Sequence, residues 1–240
     1  MTNLNAQSSG LANAPTLRIP LNRLVERSIR VLLASLFIVA VVVQISRLLV
    51  FLRHPANAEA LVPLAFCAEV GTQTSIILFT SLIAVLFLLR LEPLSKAKGL
   101  LPRMTAIAGS FLVLAVPFLP RTALSLKVSV MATTLALLGN VLSVYVLARL
   151  GRSFSIMAEA RKLVTSGPYA VVRHPLYLTE EVAFLGAMIH FFSLYAVLIF
   201  IVHLAIQIQR MKNEEAVLRA AYPEYVDYQA TTARLIPHLF

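Results

Sequence analysis

Three stretches of this chain, residues 70–89, 128–148 and 182–209, carry no formal charge over a length that bears on a lipid bilayer. A helix needs about 20 apolar residues to span the hydrocarbon core, where a charge is costly. A further apolar run at 29–52 carries Arg47 near its outer end, and a shorter one at 104–118 is stopped by Pro117 and Pro120. Composition agrees: 59% of the 240 residues are hydrophobic and 13% charged, against average usage nearer half and a quarter. The class is therefore an all-α polytopic membrane protein.

The net charge of +10 could suggest nucleic acid, but the chain has no Trp, and its Tyr and Phe are scattered rather than gathered into a stacking surface. The cations fit membrane topology better, because basic residues collect in cytoplasmic loops. Arg18, Arg23, Arg27 and Arg30 precede the first run. Arg90, Lys96, Lys98 and Arg103 lie between the second and third. Arg149, Arg152, Arg161, Lys162 and Arg173 follow the fourth, and Arg210, Lys212, Arg219 and Arg234 occupy the tail. The remaining loops hold only Arg53, Arg121 and Lys127. This alternation predicts both termini in the cytosol.

The segment between Arg173 and Arg210 must then enter the membrane and return. Residues 182–209 are too few for two full spans, but 175–217 can hold a helical hairpin turning near Phe192, Ser193 and Leu194. One long helix is the competing reading. The expectation is about six transmembrane helices, the last two a hairpin. Residues 1–27 form a flexible cytosolic tail, 28–148 four spans, and 149–240 a functional core of loop, hairpin and C-terminal tail. No cleavable leader is expected, since the first cation is Arg18 and the run after Arg30 is long enough to remain an anchor. The single Cys67 excludes an internal disulfide and a Cys-rich metal centre.

The loop after the fourth run differs from the others. Ser166-Gly167-Pro168 is a turn in which Gly167 is free to take positive φ. Pro175 suits the first position of a helix, which puts His174 at the helix entrance among unpaired backbone N–H groups. Arg173 adds donors there. Arg210 and Glu214 are four apart and share a helix face. A cation and a carboxylate would then point into one pocket roofed by Tyr222, Tyr225 and Tyr228, a fit for a zwitterionic, amine-bearing ligand. Taken singly, each signal has a plainer reading. Glu214 and Glu215 look like a solvated helix face, and Arg210 like an interfacial cation. Glu180 and Glu181 look like acids at the positive end of a helix. His190 reaches interfacial water, and His203 is a candidate tunnel residue.

Taken together, Leu163-Val164, Gly167, Tyr169, Arg173-His174-Pro175 and Tyr177, followed by Glu214-Glu215 and Leu218, the paired Tyr of the tail and Ile236-Pro237, resemble the isoprenylcysteine carboxyl methyltransferases and their bacterial relatives. The resemblance covers residues 150–240. It implies S-adenosylmethionine as cofactor and methylation of a lipophilic or prenylated substrate that enters from the bilayer, with membrane lipids as neighbours and neither nucleic acid nor metal as partner. Leu163, Val164, Gly167, Tyr169, His174, Pro175, Tyr177 and Glu214 are the implied cofactor contacts. Arg161 and Lys162 fill the two preceding positions, which also line the cofactor in the family. Arg210 is implied to hold the substrate carboxylate and, with Arg173, to be catalytic. Relatives often carry Gly two residues after the motif Tyr; here Leu178, Thr179, Glu180 and Glu181 follow, which alters the substrate entrance.

Other readings differ in chemistry. A phospholipid N-methyltransferase needs a base for its amine, with Glu180 or His174 available. A NADPH-dependent sterol reductase carries a similar Arg-His-Pro-x-Tyr element. A small transporter or scaffold is disfavoured because the polar residues cluster in loops rather than at the bilayer midplane. The expected location is a bacterial inner membrane.

Overall fold

The computed structural model describes residues 21–53, 63–120 and 122–237; residues 1–20 of the expected tail and Arg121 lie outside them. The first helix, α1 (Leu21–Arg53), begins within the segment expected as tail. It is followed by α2 (Pro63–Leu89), α3 (Leu101–Phe111), α4 (Leu126–Leu150), α5 (Pro175–His190), α6 (Leu194–Ala221) and α7 (Tyr225–Thr231). Four of these, α1, α2, α4 and α6, contain stretches long and apolar enough to cross a membrane.

The other two expected spans are shorter. α3 gives way at Leu112 to a 3₁₀ turn through Phe118, a tighter winding that ends at the prolines. α5 has 16 residues, about 24 Å of helix against a hydrocarbon core of about 30 Å. It starts only at Pro175, after the motif loop, and stops before Ser193, whose side chain accepts from the Ala196 N–H at 3.2 Å and caps α6.

The hairpin is present. Its helices run antiparallel, because Phe184 meets Phe200, Glu181 meets His203 and Tyr177 meets Arg210 in a descending ladder. α4 and α5 approach most closely through small residues. A side chain on Gly139 would lie 2.3 Å from the Ala183 nitrogen, and one on Gly186 2.4 Å from that of Ala136. Small residues let helix backbones meet where lipid offers no competing apolar drive.

The basic loops gather at one end of the bundle. Arg30 of α1 donates to the Arg90 carbonyl at 3.0 Å, and the Leu91 N–H to that of Arg152 at 3.0 Å. A two-residue antiparallel ribbon pairs β1 (Ser95–Lys96) with β2 (Glu159–Ala160) and pins the loop after α4 to the loop before α3. Beneath it, Phe87 stacks on Phe37 at 5.5 Å and meets Phe154 edge-on at 5.9 Å, closing an apolar cluster with Leu147.

Candidate functional site

A cavity of about 1370 Å³ reaches this basic end, between the motif loop and the hairpin. Arg161, Lys162, Leu163 and Val164 line it at this end, with Tyr169, His174, Tyr177 and Glu214. Gly167 and Pro175 do not line it. Gly167 adopts φ +65° against the Arg149 guanidinium, and Pro175 is the buried first residue of α5. Their contribution is to shape the turn and the helix entrance.

Spacing puts the polar groups of the hairpin on facing stripes. His203, Gln207, Arg210 and Glu214 recur every three or four residues along α6 and share one face. Tyr177 donates its hydroxyl to Glu214 Oε1, and the Arg210 guanidinium sits over the Tyr177 ring at 5.0 Å. Arg210 is buried and donates through Nη1 to Gln207 Oε1 at 2.7 Å and through Nη2 to the Ile156 carbonyl at 3.3 Å. Its Nε–H has no partner among the described residues. Burial, not bulk water, thus surrounds a side chain that the sequence alone could have placed at the interface.

Glu215 overturns its plain reading as a solvated residue. It is 1% exposed and collects three cationic or imidazole partners. Arg173 Nε donates at 3.0 Å, His174 Nε2 lies at 3.2 Å, and Arg234 donates through Nε and Nη2 at 2.9 and 2.8 Å. Arg173 also donates to the carbonyls of Gln229 and Thr232. The tail then runs beside the motif: the Arg173 N–H donates to the Ala233 carbonyl at 2.8 Å and the His174 N–H to that of Arg234 at 3.1 Å. Arg173 lines the cavity, yet its donors mainly strap the tail to α6.

The tyrosines of the tail hold the motif loop. Tyr222 donates to the Arg161 carbonyl at 2.9 Å and Tyr228 to that of Tyr169 at 2.6 Å. Burial pushes the Tyr169 phenol above its ordinary range, and the carboxylates of Glu214 and Glu180 add to this, so it remains a proton-bearing group. Burial likewise pushes Tyr228 up to about 12. Arg161 is fully buried against Glu159 Oε2 at 2.5 Å, which also accepts from the Ser155 hydroxyl at 2.8 Å.

Deeper in the bundle, Glu180 and His203 line the same cavity. Glu181 does not merely decorate a helix start: its Oε1 lies 2.8 Å from His203 Nδ1, while His203 Nε2–H donates to the Gly109 carbonyl at 2.9 Å. His190 meets the Thr133 hydroxyl at 3.0 Å. Among the described residues no group of three or more His, Cys, Asp or Glu is placed to hold a metal ion.

Two curated bacterial proteins resemble part of this chain. One is the cobalt-zinc-cadmium resistance protein CzcN of Cupriavidus metallidurans, 35% identical over 118 residues, which are 47% of this chain and 52% of the relative. The other is the nickel-cobalt-cadmium resistance protein NccN of Alcaligenes xylosoxydans xylosoxydans, 35% identical over 83 residues, 34% of this chain and 38% of the relative. The chain thus spans about half or less of these relatives. Residues 128–225, from α4 into α7 and including His174, Arg210 and Glu214, match the phospholipid methyltransferase family, and that match points to a membrane methyltransferase.

Proposed function

We propose that the chain uses S-adenosylmethionine to methylate a lipophilic acceptor, in the manner of carboxyl O-methylation of an isoprenylcysteine-type molecule. The observation that carries this is the meeting of two distant stretches, 161–177 leading into the hairpin and 210–218 near the end of its second helix, on one cavity. The residues there fit the cofactor. Glu214 suits its ammonium group, and Leu163, Val164 and Tyr169 offer an apolar wall for its base. The orphaned Arg210 Nε–H is a buried donor awaiting an anionic partner. Bound there, the cofactor supplies an electrophilic methyl group.

The chain's own residues position the acceptor. Arg210 holds the acceptor carboxylate, and the Tyr177 ring fixes the guanidinium beneath it. An ionised carboxylate needs no general base, so catalysis rests on alignment and on exclusion of water by the docked tail. Arg173 is a positioning residue that acts through Glu215 and the tail. The basic end faces the cytosol of a bacterial inner membrane, with both termini on that side and membrane lipids around the helices. Labelled S-adenosylmethionine should bind the purified protein, and Glu214→Ala should abolish that binding. Unchanged binding rejects the site.

One observation favours a second reading, N-methylation of a phospholipid amine. Glu180 lines the cavity one turn from Tyr177, where it could take the proton an amine must lose. Methyl transfer to phosphatidylethanolamine, compared with a prenylcysteine analogue, separates the two.

A further inference from the structure

The cavity is longer than a cofactor and a reacting group require. It touches His174 at the entrance of α5 and His190 at its end, which are about 24 Å apart along the helix. On α4 it is lined from Leu150 to Ser129, about 30 Å, close to the thickness of the hydrocarbon core. Its far half is not bare hydrocarbon. Gln44, Glu69, Gln73, Thr133 and His190 all line it.

One buried acceptor there is left unmet. Gln44 donates through Nε2 to Thr80 Oγ1 at 3.2 Å, and its buried Oε1 has no partner among the described residues. Gln73 Nε2 donates to Glu69 Oε1 at 3.0 Å. Glu69, Gln73 and Thr80 fall four and seven apart, on one face of α2, and all line the cavity. Polar side chains at membrane depth are costly against lipid or an alkyl tail. A plain prenyl or acyl chain brings nothing to meet them. Arg47 also lines this end, so a cation and a carboxylate both border it and neither sign dominates.

We infer that the far half of the cavity is a second, polar subsite, and that the acceptor is a long amphiphile bearing a neutral hydroxyl at the end remote from the methylated group. The methylated end rests on the proposed function; the far subsite does not.

The test uses the full chain in detergent and two probes, hexadecanoic acid and ω-hydroxyhexadecanoic acid, each displacing a spin-labelled fatty acid. The hydroxylated probe should bind about tenfold more tightly, the scale of one or two hydrogen bonds. Gln44→Leu with Gln73→Leu should remove that preference, weakening the hydroxylated probe and leaving the plain acid bound at least as tightly as before, and Thr133→Val should reduce it. Retained binding of the plain acid shows that the variants are folded. Equal binding of both probes to the unaltered protein overturns the subsite. If Glu214→Ala leaves S-adenosylmethionine binding intact while the hydroxyl preference persists, the methyltransferase reading falls and the subsite stands.

Discussion

Replacing Glu215 with Ala should release the C-terminal tail while leaving the membrane helices in place. The carboxylate is 1% exposed and faces Arg173, whose side chain is 8% exposed, as well as His174 and Arg234. Removing one partner of a buried ion pair strands the other and costs about 3–5 kcal/mol. Arg234 adds least, because its side chain is 18% exposed and water can replace the lost acceptor. The lower end, about 3 kcal/mol, is therefore the appropriate figure, and it corresponds to on the order of 100-fold in the docking equilibrium of the tail. That loss is local, since the helices keep their lipid and interhelical contacts. Hydrogen exchange reads it directly. The Arg173 and His174 amides, which donate to the Ala233 and Arg234 carbonyls at 2.8 and 3.1 Å, should lose protection by about that factor, while amides within α4 keep theirs. Glu215→Gln, which retains an acceptor oxygen, should lose less. Because the tail tyrosines hold the motif loop, affinity for the proposed cofactor should fall in parallel. Wild-type exchange at Arg173 and His174 in Glu215→Ala would refute the role given to this carboxylate.

Gly139→Val and Gly186→Val should each drive α4 and α5 apart, costing about 1–3 kcal/mol or more in thermal unfolding, because a side chain at either position lands within 2.4 Å of a backbone nitrogen. Unfolding temperatures equal to wild type would contradict the close crossing. The Tyr228 phenol is raised from its usual 10.0 to about 12 by burial, so its contribution to docking is complete below pH 10 and is lost as pH rises through about 12. Proteolysis of the tail should accelerate over that window, and Tyr228→Phe should remove the part of the acceleration that follows its ionisation. Arg210→Met should lower kcat/KM for a carboxylate acceptor by about 10- to 100-fold, the scale of a charge-assisted hydrogen bond. A smaller effect on an amine acceptor would favour the carboxylate reading over the phospholipid one.

The long helices, and the residues of the motif that line one cavity, are legible because their signals are local. Uncharged runs mark the long helices, Pro175 marks the start of α5, and the four-residue step from Arg210 to Glu214 places both on one face of α6. The hairpin turn was legible only weakly, since it lacks Gly and Pro; its signal is Ser193, a helix cap rather than a turn residue. What the sequence hid is relational. Nothing local says that the tail returns to Arg173, that Glu181 finds His203 on the next helix, or that α1 and α2 line a cavity as well as face lipid. An apolar stretch advertises its solvent, not which of its few polar residues turn inward.

The adjacent pair Glu214 and Glu215 shows why a motif residue and its neighbour need not share a task. Successive residues on a helix point about 100° apart. On α6 that angle sends Glu214 to Tyr177 and the cavity, and Glu215 to Arg173 and Arg234 behind it. The same helical turn therefore forms the wall on which a cofactor would rest and the anchor that keeps the tail over it. Because Arg173 and His174 stand next to each other in the motif, line the cavity and both reach Glu215, tail docking and the shape of the cavity wall are coupled through one carboxylate. It follows that substitutions at Glu215 should alter ligand affinity without touching the ligand, whereas substitutions at Glu214 should do so by contact. Exchange protection of the Arg173 and His174 amides distinguishes the two, falling in the first case and holding in the second.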